Sequence, residues 1–136
     1  MGHPSPPLEG VVVIVIDAPE AAKHIEKAFA NAGAATFVAT NDDECRALLQ
    51  RISPHFAIVD PTISGGGPQS MAWTLLSHPE CRTVIFSSNV HGPTGSTNKW
   101  LISKSRPASD VVRTVTEALK DPTWIAKGGE DVKPAR

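Results

Sequence analysis

The chain has 136 residues and a mass of 14.4 kDa, a length from which we expect one folded domain with short tails and no second output domain. Charged residues make up 20% of the chain and the formal net charge is −1, so the basic excess typical of nucleic-acid or anionic-membrane binders is missing. The longest apolar run, 11–16, is too short to span a bilayer. Because the N-terminus also lacks a signal-peptide pattern, we expect a cytoplasmic globular protein.

Apolar periodicity, capping residues and Pro/Gly breaks predict alternating strands and helices after a loose, Pro- and Gly-rich arm over residues 1–10. In chain order we expect a strand over 11–16, a helix from Pro19 to Gly33, a strand over 35–39, a helix capped by Asn41 or Asp42 and ended by Pro54, a strand over 56–59, a helix over 68–77, a strand from Thr83 to Ser87 or Ser88, a strand over 100–103, and a last helix preceded by Ser109 or Asp110.

Five strands joined by helical connections predict an α/β fold with a parallel sheet covered by helices on both faces. The segment 89–99 departs from the alternation, because Gly92, Pro93 and Gly95 would break a helix there. We expect a loop or a single turn instead, so that the fourth helix is shortened or absent. The domain should therefore occupy 11–120 and a polar tail 121–136. Both cysteines, Cys45 and Cys81, are expected to be reduced packing residues.

Four chemically useful side chains follow the predicted strands, where parallel sheets of this kind bind their ligands. Asp17 follows the first strand, Asp60 the third, Ser88 the fourth and Lys104 the fifth. Two acids, a hydroxyl and an ammonium suit phosphoryl transfer to a carboxylate: one Asp attacks, the other helps to hold Mg²⁺, and the hydroxyl and the Lys bind phosphoryl oxygens.

Over residues 11–120 this arrangement resembles the receiver domain of two-component response regulators. Asp17 and Asp60 are 43 residues apart, and Asp60 and Ser88 are 28 apart, which is close to the family spacing. The resemblance implies a flavodoxin-like, doubly wound sheet in the strand order 2-1-3-4-5. It also implies that Asp60 accepts the phosphoryl group, that Asp17 and Asp60 bind Mg²⁺, and that Ser88 and Lys104 complete the site.

The chain departs from the family pattern at two places in the site. Receivers usually carry two acids in tandem after the first strand, but Ile16 stands where the first acid is expected. Glu20 lies close in sequence and could compensate, although a Glu in a first helical turn is more often a solvated residue that favours the helix dipole. The usual Lys-Pro pair is Lys104-Ser105 here, with Pro107 two residues later.

These observations leave two functions. The resemblance implies a single-domain receiver, not itself an enzyme, that takes a phosphoryl group from a histidine kinase or phosphotransfer protein and signals by binding a downstream protein partner. The alternative is a receiver fold that no longer cycles phosphate and serves as a constitutive protein-interaction or dimerisation module. The missing acid and the shortened fourth helix favour the alternative, whereas Asp60, Ser88 and Lys104 favour phosphoryl transfer. A homodimer is compatible with either.

The loss of one acid predicts weak Mg²⁺ binding, because hard divalent cations depend on carboxylate charge. Restoring the acid with Ile16→Asp should tighten Mg²⁺ binding in a titration, at some cost in stability because residue 16 ends a buried strand. An unchanged Mg²⁺ affinity in a folded Ile16→Asp protein would show that residue 16 does not correspond to the first acid of the family.

Overall fold

The computed structural model describes residues 6–60, 81–88 and 101–120. Over residues 12–59 strands and helices alternate as the periodicity predicts. The elements are β1 (Val12–Ile16), α1 (Pro19–Asn31), β2 (Ala35–Ala39), α2 (Asp42–Leu49), β3 (Phe56–Val59), β4 (Arg82–Ser87), β5 (Leu101–Ser103) and α3 (Ala108–Leu119). The predicted helix over 68–77, the segment 89–99 and the tail lie outside the described residues.

The five strands form one parallel sheet in the order β2-β1-β3-β4-β5. This confirms the predicted fold class and strand order. The inner strand β1 pairs with β2 on one side and β3 on the other, so Ile16 lies level with both Ala39 and Val59. The carboxyl ends of β1, β2 and β3 therefore meet at one edge, which is where such sheets bind ligands.

Helices cover both faces of the sheet, as predicted, and each face has its own apolar cluster. The larger cluster packs α1 and α3 against the sheet through Ala22, Ile25, Phe29, Val111 and Val115, together with strand residues such as Val13, Val15, Phe56 and Ile58. The smaller cluster packs α2 against the opposite face and contains Ile14, Ile16, Ala39, Cys45, Ala57, Val59 and Cys81. Both cysteines are free and buried. None of the helices in the described ranges has the length and apolar content needed to cross a membrane.

Local sequence explains where the helices begin and end. Pro19 starts α1, where its fixed φ suits the first turn, and Gly33 adopts a φ of 97° just after that helix ends. The Asn41 side chain caps α2 by accepting a hydrogen bond from the Glu44 N–H at 2.9 Å. The last helix begins two or three residues earlier than the sequence predicts, with Pro107 at its N-cap position and Ala108 as its first residue.

The loose arm predicted for residues 1–10 is wrong for residues 6–10. Leu8 is completely buried in the larger cluster, and its N–H donates to the Ala32 carbonyl oxygen at 2.8 Å. The chain then turns, with the Val11 N–H bonded to the Leu8 carbonyl at 3.0 Å, and enters β1. The segment is held because one large apolar side chain among the Pro and Gly residues reaches the end of α1.

Because Leu8 is buried, Leu8→Ala should lower the free energy of unfolding by about 3 kcal/mol, the usual cost of truncating a buried Leu. The neighbouring Glu9 is exposed, so Glu9→Ala should change stability by less than about 0.5 kcal/mol. Urea unfolding of the two variants measures both effects. Equal, small losses would show that the segment is loose after all.

Candidate functional site

Asp17, Asp60 and Lys104 each follow the last residue of a strand, and main-chain hydrogen bonds hold each of them to the neighbouring strand. The Asp17 N–H donates to Ala39 at 3.2 Å, the Asp60 N–H to Ile16 at 3.0 Å, and the Lys104 N–H to Ser87 at 3.0 Å. The sheet ladder thus continues one residue beyond β1, β3 and β5, and fixes the three backbones at the carboxyl edge.

Strand alternation directs these three residues toward the same face. Val15, Ile58 and Ile102 belong to the larger apolar cluster, and each lies two residues before Asp17, Asp60 or Lys104 respectively. Because side chains alternate along a strand with a period of two, the polar residues extend the face that α1 and α3 cover. The site therefore forms at the polar end of the larger core.

A single ammonium group joins the two carboxylates. Lys104 Nζ lies 2.8 Å from Asp17 Oδ2 and 2.7 Å from Asp60 Oδ2, and it is also 5.9 Å from the centre of the Phe86 ring. The side chains of Asp17 and Asp60 are only 2% and 7% exposed, whereas that of Lys104 is 24% exposed. The carboxylates are therefore almost removed from water, and the lysine closes the site toward solvent.

Burial and pairing oppose each other in setting the charge of these groups. Burial raises the pKa of Asp17 above its ordinary value, although hydrogen bonds from Lys104 and from the Ala18 N–H lower it. Burial lowers the pKa of the Lys104 ammonium, but the hydrogen bonds to Asp17 and Asp60 outweigh that effect and raise it. The ammonium group therefore stays positively charged, whereas burial makes the ionised form of Asp17 less favourable than it would be in water.

The structure does not join Ser88 to the other three residues within the described ranges. Ser88 is exposed and follows the end of β4, whereas Ser87, the last residue of β4, is buried. Alternation places Ser88 on the same face as Val84 and Phe86, which belong to the larger cluster; Ser87 has the opposite parity. Of the two serines, Ser88 thus lies on the face of Asp60, and the role of its hydroxyl stays a prediction.

Two further positions that the sequence singled out lie apart from the carboxylates. Ile16 is fully buried in the smaller cluster, on the face of the sheet opposite to Asp17. Glu20 is exposed on the first turn of α1, and the described part of the chain brings no third His, Cys, Asp or Glu to the carboxylate pair in a metal-binding arrangement. Glu20 therefore does not replace the missing acid.

The pair of carboxylates nevertheless fits Mg²⁺. In proteins Mg²⁺ is often held by only one or two carboxylates and keeps several of its waters. Asp17 and Asp60 already approach one common cation, the Lys104 ammonium, at 2.8 and 2.7 Å, so their oxygens converge on a shared position. These two residues are the ones that would hold the metal, and the ammonium would compete with it for the same oxygens.

Comparison with known proteins supports the fold and does not extend to sequence. No family model matches the chain, and no curated protein matches it. Among solved structures, the chain is similar to a response regulator receiver protein from Burkholderia phymatum, with a TM-score of 0.66 and 18% identity over 81% of this chain and 95% of that one. It is also similar to a response regulator from Thermotoga maritima, with a TM-score of 0.62 and 14% identity over 82% of this chain and 98% of that one.

A third similar structure belongs to a longer protein, the response regulator PhyR from Brucella abortus. The TM-score is 0.64 and the identity 15%, and the match covers 90% of this chain but only 54% of that one. At such identities the likeness concerns the fold. The chain has the fold of a response regulator receiver domain, which confirms the resemblance in fold that Asp17, Asp60, Ser88 and Lys104 suggested.

Removing the ammonium should destabilise the protein in a pH-dependent way. Lys104→Met should lower the free energy of unfolding by about 3 kcal/mol at pH 7, since two buried carboxylates would lose their common cation. The penalty should shrink as the pH falls through the raised pKa of Asp17, because protonated carboxyls need no counter-charge. Urea unfolding at several pH values measures the trend.

The matched control for this experiment is Lys23→Met. Lys23 is an exposed lysine of α1, so its loss should change stability by less than about 0.5 kcal/mol at every pH. A Lys104→Met penalty that did not depend on pH would show that lost packing, and not the lost charge, accounts for the effect.

Proposed function

We propose that this protein is a receiver that accepts a phosphoryl group on Asp60 from a phosphohistidine of a histidine kinase or phosphotransfer protein. The observation that carries the proposal is the contact of 2.7 Å between Lys104 Nζ and Asp60 Oδ2 at the carboxyl edge of a receiver-type sheet. A carboxylate that is nearly buried beside a fixed ammonium is a suitable acceptor, because the negative charge brought by a phosphoryl group already has a partner.

In the proposed reaction a carboxylate oxygen of Asp60 attacks the phosphorus of the donor. The new P–O bond forms as the P–N bond of the phosphohistidine breaks, and the imidazole leaves with the electron pair of that bond and takes up a proton. The product is an acyl phosphate on Asp60. Lys104 is expected to follow the added charge, which would loosen its second contact, to Asp17.

Mg²⁺ is part of the proposal. Asp17 and Asp60 would hold it, and the metal when bound would neutralise charge on the phosphoryl oxygens. Because the described residues bring no third acid to these two carboxylates in a metal-binding arrangement, we expect a site that fills only at high Mg²⁺. Ser88 is proposed to donate its hydroxyl hydrogen to a phosphoryl oxygen, from the face that it shares with Asp60.

The same proposal gives the protein its partners and its place in the cell. A receiver exchanges its phosphoryl group with a kinase or phosphotransfer protein and passes the signal to a downstream protein, so we place it in the cytoplasm and among signalling proteins and not among enzymes. The similar solved structures carry the description response regulator, which supports this reading.

Acetyl phosphate with high Mg²⁺ tests the acceptor directly. Intact-mass analysis should show one added phosphoryl group that is lost at alkaline pH, and Asp60→Asn should abolish the adduct, because an amide oxygen is a far poorer nucleophile. Lys104→Ala should keep part of the phosphorylation but lose the structural response around Ser88, since the ammonium senses the charge and does not form the bond.

Asp43→Asn is the matched control. Asp43 is exposed on α2, so this variant should be phosphorylated like the wild type. If the wild type shows no adduct at high Mg²⁺, or if Asp60→Asn carries the same adduct, the acceptor assignment is wrong. The protein would then be the interaction module that does not cycle phosphate.

A further inference from the structure

The strand β2 lies at one edge of the described sheet and lacks the features that usually protect an edge. Exposed edges in natural proteins are commonly blocked by charged residues, Pro or a bulge. Here every residue from Ala28 to Asn41 is uncharged, and none is Pro. The register of β2 with β1 is continuous from Ala35 to Ala39, so the strand has no bulge.

The hydrogen bonds to β1 show which main-chain groups of β2 face outward. The Ala35 N–H donates to Val11 at 2.9 Å, and the Ala39 carbonyl accepts from Asp17 at 3.2 Å. Because successive residues of a strand direct their main-chain groups to alternate sides, the N–H and C=O groups of Thr36 and Val38 point away from the sheet. They form the free edge of the described sheet.

The sequence of β2, Ala-Thr-Phe-Val-Ala, nearly repeats itself when it is read backward. If two copies pair in antiparallel fashion about Phe37, each Ala35 lies opposite an Ala39 and each Thr36 opposite a Val38, which has almost the same shape. We propose that β2 is a self-pairing edge through which two copies of this chain form a dimer with a continuous sheet.

This register agrees with the direction of the main-chain groups. Thr36 and Val38 are the residues with outward groups, and they would lie opposite each other as hydrogen-bonded pairs, which gives four main-chain hydrogen bonds in all. Phe37 would then lie opposite its own copy at a non-hydrogen-bonded position, where facing side chains approach most closely. If the register of the two β2 strands shifted by one residue, the outward main-chain groups of Thr36 and Val38 would lie opposite residues whose N–H and C=O groups point toward β1, and these hydrogen bonds could not form.

The state of Phe37 supports the same arrangement. Its side chain is half-buried, and it is not among the partly buried residues that pack against either apolar cluster of the described structure. An aromatic side chain on an edge strand without a core role is well suited to an aromatic pair across the two-fold axis. The proposed dimer does not depend on phosphorylation of Asp60.

Charge substitutions at residue 37 test the two-fold register. Sedimentation equilibrium of the wild type should show a reversible dimer at chain concentrations on the order of 100 µM, since a short interface binds weakly. Phe37→Lys and Phe37→Glu should each weaken dimerisation by more than about tenfold, because like charges would lie opposite each other. An equimolar mixture of the two variants should restore the dimer, because residue 37 then faces the opposite charge.

A cross-link gives a second measurement that does not depend on weak association. Phe37→Cys should form a symmetric disulfide on mild oxidation, because a directly opposite pair has a suitable Cα separation. Ala35→Cys is the control, since residue 35 and its copy would be four positions out of register, roughly 13 Å apart. The native thiols should not interfere: burial raises the pKa of Cys45 to about 11 and that of Cys81 to about 12.

Thermal melts of each variant establish that it is folded. Three results would overturn the proposal: a wild type that stays monomeric at about 1 mM, a charge mixture that does not regain the dimer, or cross-linking of Ala35→Cys as fast as that of Phe37→Cys.

Discussion

The arrangement of the site depends on one ammonium group shared by two buried carboxylates. Asp17 and Asp60 come from adjacent strands, so in their ionised forms they would repel each other in a region almost free of water. Lys104 relieves this repulsion with one Nζ placed 2.8 and 2.7 Å from the two. Lys104 directly follows β5, the last strand on the other side of the described sheet. Its two ion pairs therefore also connect this short strand to β1 and β3.

In the proposed function the same contact would make the site sensitive to a change at a single carboxylate. A group that makes two charged hydrogen bonds in a confined space cannot keep both unchanged when one carboxylate gains further negative charge. In the proposed function the lysine converts a chemical change at Asp60 into a rearrangement between β1, β3 and β5. Because the Lys104 side chain is partly exposed to solvent, it has space to change its conformation.

Much of this architecture could be predicted from the sequence. Short apolar runs predicted the buried strands, and apolar stripes with capping residues predicted the helices. The polar residues at the strand ends predicted that Asp17, Asp60 and Lys104 would lie close together. Leu8 could not be found in this way, because a single apolar residue in a Pro- and Gly-rich segment has no period to reveal it. The choice between Ser87 and Ser88 depends on where β4 ends, which local sequence defines only to within a residue or two.

The departure at Ile16 has a structural reason that the sequence alone did not supply. Ile16 fills the smaller cluster with Ala39 and Val59, so the side chain at this position packs under α2 and contributes to the core. An acid there would have to leave an apolar environment to reach the proposed Mg²⁺ site. At this position the chain therefore has a packing residue where a second acid would be expected.

The long sequence separation of the central contact also affects the order in which the molecule is assembled. The segment around Leu8, α1 and the β1/β2 pair close on one another through contacts that are short along the chain, whereas Lys104 and Asp17 are 87 residues apart. Local contacts form sooner than those that close long loops. During folding, and during synthesis on the ribosome, the two carboxylates are therefore expected to stay hydrated until β5 pairs with the sheet. Water would be excluded from the site only when Lys104 contacts Asp17 and Asp60.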